Sequence, residues 1–381
     1  MTNAIVTGSN GAIVPQGTSR NTDRARAQLA SAMEAGAVPG LQYLVVDVTG
    51  AVFEYDGGWA DIRCQRPMRA ETTMMAYSMS KTITAVAVLQ LVGAGTVGLD
   101  DPLSRHVERS PYGPAVTVRH LLSHTSGVPN PIPLRWVHLA NRHAEFDGGA
   151  AFDAVLRRHG RLAFEPGAKY AYSNIGYWLL GRVVERASGE RFESYVGRHV
   201  IERLGLSPGD MAFAVTDPAH HASGYLERFS VLNLARPFLI DRDLAGDYAG
   251  RWLEIRSHYV NGPAFGGLVG TARGFGAFLR DQLRERSALL DETTRPLLYA
   301  PQQTTRGKPV GMTLGWHIDD RQGIRAFFKE GGGGGFHCMM RLYPHAGIGT
   351  VMMTNATAFD IGRLMRTVDT CLTATAPPTV A

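Results

Sequence analysis

Lysine is nearly absent from this 381-residue sequence. Only Lys81, Lys169, Lys308 and Lys329 occur, so 35 of the 39 basic residues are arginine. Arginine stays charged, whereas lysine can give up its proton when buried, so chemistry that needs a neutral amine has to retain lysine. Cysteine is scarce too. Cys64, Cys338 and Cys371 are odd in number and far apart, which argues against a disulfide framework and fits no metal-binding spacing. No apolar run approaches the roughly 20 residues needed to cross a bilayer; the most apolar stretch, Ile83 to Gly95, is far too short. Met1 to Arg20 lack a basic start followed by an apolar stretch, so no signal peptide is expected and the expected location is cytoplasmic. The net charge of +5 comes from scattered arginines without a basic helix or an aromatic-interleaved strip, which argues against nucleic acid as a partner.

The length suits two lobes, and the 44% apolar and 19% charged composition is that of an ordinary soluble domain. Residues 1–21 are rich in Gly, Ser and Asn and read as a loose segment. A helix is expected over Thr22–Ala35, then two strand-like runs, Leu41–Val48 and Ala51–Tyr55, joined at Thr49-Gly50. Helical spacing runs from Ser78 to Val92 and stops at Gly93–Gly95. Residues 95–260 alternate helical patterns with Pro/Gly-rich loops, and a further helix is expected over Thr271–Glu285. Strand-like runs return at Thr313–His317, Arg325–Lys329, Phe336–Tyr343 and Gly349–Thr354, before a closing helix from Phe359 to about Leu372. Strands at both ends and helices between them predict one sheet completed by the two termini, with a mostly helical part inserted. The expected division is 22–94 with 261–381 as an α/β domain and 95–260 as the helical one. The active site would lie in the cleft between them.

Three short motifs carry the chemistry. Ser78-Met79-Ser80-Lys81 opens the expected buried helix; residues i and i+3 share a helix face, so the hydroxyl and the amine can meet. With 17 serines in the chain, four lysines would produce roughly 0.2 such matches by chance, so the motif is only suggestive alone. Tyr172-Ser173-Asn174 is the second. A tyrosine oxygen beside ammonium groups could act as a base and an Asn amide could hold a lysine, although Ser-Asn before a helix is also a capping pattern. A second Tyr-x-Asn, Tyr259–Asn261, shows how weak that spacing is. Lys329-Glu330-Gly331 is the third, opening five glycines from Gly331 to Gly335. Glycine weakens a strand unless the backbone must approach something closely, such as an oxyanion; a flexible surface loop is the alternative.

In this order the three motifs resemble those of the serine β-lactamase and penicillin-binding-protein superfamily. The Tyr-x-Asn form is similar to class C β-lactamases, family VIII carboxylesterases and D-amino-acid peptidases (the S12 type). Thr117–Pro129, Phe164–Gly167, Ala264–Leu268, Phe336 and Arg341–Pro344 extend the resemblance over residues 25–372. It implies an α+β (α/β sandwich) fold of the β-lactamase/transpeptidase kind, an antiparallel sheet flanked by helices. It implies Ser78 as nucleophile, with Lys81 and Tyr172 sharing the proton transfers and Asn174 orienting the site. Lys329 would add positive potential, and the backbone N–H groups of Ser78 and Gly332, just past Gly331, would form the oxyanion hole. Glu330 departs from the pattern, because β-lactamases carry a hydroxyl residue there that helps bind the substrate carboxylate. A carboxylate facing the cleft would repel anionic substrates, so an esterase on neutral small-molecule esters is expected. Amidase or D-amino-acid peptidase, β-lactamase and acyltransferase activities share the same acyl-enzyme, and a catalytically silent penicillin-binding-type sensor is the reading from another class. No cofactor, metal or membrane partner is expected, and the oligomeric state is open.

Two rival hydrolases find little support. Thr125-Ser126-Gly127 lacks the first glycine of a nucleophile elbow. His120 and His124 are spaced i, i+4 but lack the glutamate of a zinc-hydrolase helix. His337, near the third motif, could equally touch substrate or sit satisfied in a strand.

Overall fold

The computed structural model describes residues 16–131, 136–239, 241–321, 324–357 and 359–373. Of the loose segment expected over 1–21, residues 1–15 lie outside the described residues, and the rest opens helix α1, Gln16–Glu34.

The chain then forms a hairpin. Strands β1 (Gly40–Val46) and β2 (Ala51–Asp61) pair antiparallel. Their turn is fixed by Asp47, whose Oδ1 accepts the N–H groups of Thr49 and Gly50 at 2.7 and 3.1 Å. A short β3, Arg66–Pro67, follows. Much later come β4 (His317–Arg321), β5 (Ile324–Gly333), β6 (Phe336–Tyr343) and β7 (Ile348–Thr354). The seven strands make one antiparallel sheet in the order β4-β5-β6-β7-β1-β2-β3. The pair β7–β1 sits inside it, so the last strand and the first close the sheet, as the strand runs at both ends of the sequence require.

Both faces are covered, and β1 shows how. Leu41, Tyr43 and Val45 join a core with Ala25 and Leu29 of α1 and with Ile361, Met365 and Val368 of α8 (Ile361–Thr373). Leu44 and Val46, on the alternate positions, join the main core with Phe275, Phe278 and Leu279 of α7 (Ala272–Leu283). A strand buried on both faces reads as a continuous apolar run.

One polar knot crosses the outer core. Asp369 of α8 accepts hydrogen bonds from the hydroxyls of Tyr43 (2.6 Å) and Tyr343 (2.5 Å), and Arg341 lies 3.7 Å away. Asp369 is 2% and Arg341 4% exposed; removing Asp369 leaves the two tyrosine hydroxyls without their acceptor, while Arg341 keeps Asp319 at 2.7 Å. Asp369→Ala is expected to cost about 2–5 kcal/mol in urea unfolding, from two buried hydroxyls left without an acceptor; a loss below about 1 kcal/mol would contradict this account of the knot.

Between β3 and β4 lie α2 (Ser80–Gly93), α3 (Val118–Leu122), α4 (Gly148–Arg158), α5 (Asn174–Ser188) and α6 (Val231–Leu239). The inserted part is less uniformly helical than its sequence pattern suggests. Strands Gly224–Glu227, Ala245–Ala249 and Trp252–Ile255 form a second sheet with Ala356–Thr357. They are four or five residues long, too short to show clear alternation. The run Thr313–His317 also differs: the strand starts at His317, because Thr313 and Trp316 close a turn, Thr313 N–H to Trp316 O at 2.9 Å.

Candidate active site

Helix α2 is almost wholly buried, so whatever polar groups it carries must be satisfied by neighbours. Thr84 donates to the carbonyl of Ala264, and Ser80 accepts the N–H of Leu268. These two bonds fix the Ala264–Leu268 turn against the helix and bring the Phe265 carbonyl to Lys81. Ser78 precedes α2 in a single turn, Tyr77–Met79. Tyr77 has φ of +44°, a conformation that costs a bulky residue about 1–3 kcal/mol and that clusters at functional sites. Its hydroxyl lies 2.8 Å from His258 Nε2 and 3.0 Å from the Gly334 carbonyl, which together hold the ring.

Lys81 is fully buried. Its Nζ lies 2.9 Å from Ser78 Oγ, 2.7 Å from Asn174 Oδ1 and 2.6 Å from Phe265 O. Asn174 Oδ1 and the carbonyl can only accept. In a neutral amine both N–H bonds are therefore committed to them, and the lone pair is left for the Ser78 hydroxyl. Burial, reinforced by the charge of Lys329, pushes the proton affinity of Lys81 well below the usual lysine range.

Tyr172 reaches the same oxygen from the other side, donating to Ser78 Oγ at 2.7 Å. Burial raises its proton affinity well above the ordinary tyrosine value, the hydrogen bond to Ser78 opposing this and the charge of Glu330 adding to it. The sequence suggests a tyrosine oxygen whose proton affinity is lowered by its lysines; in the structure burial raises it instead, and Tyr172 rests as a phenol. Lys329 is fully buried without a hydrogen-bond partner among the described residues. Its Nζ sits 5.3 Å from the Tyr172 ring centre and 5.9 Å from that of Tyr177, and burial brings its pKa down to about 7.

The third motif packs as alternation dictates. Pairing with β4 ends at Phe328, so β5 beyond it presents a free edge to the Ser78 turn. A Cβ on Gly331 would lie 2.2 Å from Ala76 O and 2.9 Å from Ser78 N, and one on Gly333 would strike the Tyr77 ring at 2.3 Å. Close approach explains these two glycines. Glu330, half exposed, is bonded to His337 Nε2 at 2.6 Å. It does not line the cavity that opens beside Ser78, so His337 serves as its partner there and the carboxylate acts on the site only through its field.

That cavity holds about 420 Å³ and is mainly apolar, lined by Ser78, Asn174 and Gly332 together with Leu226, Leu244 and Ile255. Ser78, Lys81, Tyr172 and Asn174 thus converge, with Gly331 against the Ser78 backbone and Lys329 behind Tyr172. Of Tyr259–Asn261 only Val260 lines this cavity; Tyr259 accepts the Val215 N–H and Asn261 holds His138, so neither joins Ser78. His120 caps α3 through Thr117, and His124 accepts the Ser173 N–H while its ring lies 4.3 Å from that of Tyr172. The His-x-x-x-His spacing is therefore structural, with His124 a prop for the second motif. The nucleophile-elbow pattern does occur once, at Gly205-Leu206-Ser207-Pro208-Gly209. It forms an exposed turn with the Ser207 hydroxyl bonded to Asp210 at 2.6 Å, and no histidine reaches it among the described residues. They also contain no group of His, Cys, Asp and Glu that could hold a metal, and no helix long and apolar enough to cross a membrane.

The family model described as Beta-lactamase matches residues 25–369. The chain belongs to this family. Among curated relatives, Penicillin-binding protein 4* of Bacillus subtilis (strain 168) is 24% identical over 298 residues, 77% of this chain and 62% of the relative. Esterase EstB of Burkholderia gladioli is 36% identical over 180 residues, 44% of this chain and 45% of the relative. The aligned segments thus span about half to three-fifths of these curated relatives' lengths. The solved D-amino acid amidase from Ochrobactrum anthropi SV3 shares the fold with a TM-score of 0.76 at 20% identity, covering 93% of this chain and 100% of that one. Family membership and shared fold agree with the resemblance carried by the three motifs and with the serine-hydrolase class it implies.

Proposed function

We propose that the protein is a serine hydrolase that forms an acyl-enzyme on Ser78 and acts on small-molecule esters with apolar substituents. One observation carries this reading: Lys81 Nζ and Tyr172 Oη converge on Ser78 Oγ at 2.9 and 2.7 Å, in the wall of a mainly apolar cavity. Lys81 takes the Ser78 proton as the Oγ–C bond forms. The Ser78 and Gly332 N–H groups receive the developing oxyanion. Tyr172 gives its proton to the leaving alkoxide as the ester C–O bond breaks, and the Lys81 ammonium restores it. Water then releases the acyl group by the same steps in reverse order. Asn174 holds Lys81 in place, and Lys329 keeps its proton affinity low. The site lies between an α/β domain of 22–94 with 261–381 and an inserted 95–260 domain, to which α5 and three of the four strands of the small sheet belong. The esterase among the relatives supports the ester reading; the amidase fold keeps D-amino-acid amides as the comparison substrates.

A panel of p-nitrophenyl esters, D-amino-acid amides and a chromogenic cephalosporin tests this. Ester turnover is expected to exceed the others; efficient hydrolysis of several β-lactams with no ester turnover would overturn the substrate reading. The pH profile follows from the protonation states. Lys81 works as the neutral amine, so kcat/KM is full above its lowered pKa and is lost as pH falls through it. Lys329→Met removes a like charge, so that acid limb should move to higher pH. An acid limb that stays in place would show that Lys329 does not tune Lys81.

A further inference from the structure

The walls of the cavity beside Ser78 are asymmetric in charge. Among the described residues no aspartate or glutamate lines it, and Arg236 is its one permanently charged lining side chain. Burial lowers the proton affinity of His258, also in the wall. Arg236 stands on α6 one turn beyond Leu232, and both face the cavity. Neighbouring arginines are engaged: Arg251 pairs with Glu227 at 3.2 Å, Arg63 with Asp247 at 3.2 Å, and the Arg228 guanidinium lies 4.3 Å over the Tyr248 ring. Arg236 has no hydrogen bond or ion pair among the described residues. At Tyr172, which touches Ser78, the negative field of Glu330 is felt.

We propose that Arg236 is a substrate-specificity residue and that the cavity takes esters whose apolar chain ends in a carboxylate. This rests on the hydrolase reading and deepens it. The ester carbonyl meets Ser78, the chain lies along Leu226, Leu244 and Ile255, and the carboxylate meets the guanidinium, whose planar fork matches it. The field of Glu330 opposes the reversed orientation, with the free carboxylate at Ser78. Repulsion of anions is then a property of the groups around Ser78, and preference for this anion a property of Arg236.

The test uses p-nitrophenyl monoesters of straight-chain dicarboxylic acids of increasing length, each matched to the p-nitrophenyl ester of the neutral acid with the same chain. The ratio of kcat/KM, charged over neutral, is the readout. At the best chain length Arg236→Gln should lower this ratio by about 10- to 100-fold through KM, the range for a hydrogen bond to a charged group. Arg236→Glu should reverse the preference toward esters ending in trimethylammonium. Binding of the matched monoamides to Ser78→Ala by calorimetry reads the same preference without chemistry, with Ser78→Ala/Arg236→Gln as its comparison. A carboxylate preference there without ester turnover would sink the hydrolase reading and keep this one. Equal ratios for the native chain and Arg236→Gln in both assays would overturn it.

Discussion

Lys81→Arg is expected to be as inactive as Lys81→Met, with turnover of the best ester reduced on the order of 10⁴-fold in both. The comparison separates two roles that a buried cation near a nucleophile could have. If Lys81 acted by its charge, arginine would restore part of the rate. A guanidinium never gives up its proton in this pH range and so cannot accept one from Ser78. The hydrogen bonds of Lys81 point the same way, because two acceptors consume its N–H bonds and the third position faces Ser78 Oγ. Methionine nearly fills the lysine volume and removes the desolvation cost of a buried amine, which offsets the loss of a donor to Asn174 and Phe265, so Lys81→Met should still fold, as thermal unfolding can check. Activity in Lys81→Arg within about 10-fold of the native chain would contradict the base assignment.

Gly331→Ala should be far more damaging than Gly332→Ala, although the two residues are neighbours in one strand. A methyl on Gly331 meets backbone atoms, the Ala76 carbonyl and the Ser78 nitrogen, which cannot rotate away. The strand must move off the Ser78 turn, at a cost of about 1–3 kcal/mol from overpacking. A shift of that kind also pulls the oxyanion N–H groups out of register, worth about 10²-fold in rate. A methyl on Gly332 meets only the His337 ring at 3.3 Å, which can give. Thermal unfolding and kcat/KM on both variants decide it; equal losses at the two positions would show that Gly331 does not set the strand's distance from Ser78.

Much of the molecule was legible from local spacing. The Ser78–Lys81 pair lies within one helical turn, and the hairpin at Thr49-Gly50 is fixed by its own residues. Closure of the sheet by β7 and β1 follows from strand runs at both ends. Legibility fails where the decisive group is a backbone atom or a burial. The third partner of Lys81 is the Phe265 carbonyl, which has no residue-type signature; its only trace is the glycine-rich Ala264–Leu268 turn. The lysines near Tyr172 are visible in sequence and suggest a lowered proton affinity, whereas the burial that raises it is not visible. His124 carries a metal-like spacing and works as a stacking prop, and Tyr77 has a strained backbone that no propensity reveals. Arg236 sits in a helix whose pattern says only that one face is apolar, and its neighbours in the cavity come from strands too short to read.

Ser78 as the acylated atom is the claim on which the rest depends. Reaction with a fluorophosphonate probe, followed by intact-protein mass spectrometry and peptide mapping, tests it most directly. The native chain should gain one adduct, mapped to Ser78, at a rate sharply reduced in Lys81→Met, and folded Ser78→Ala should gain none. An adduct on another serine, Ser207 included, or labelling that persists in Ser78→Ala, would contradict the account.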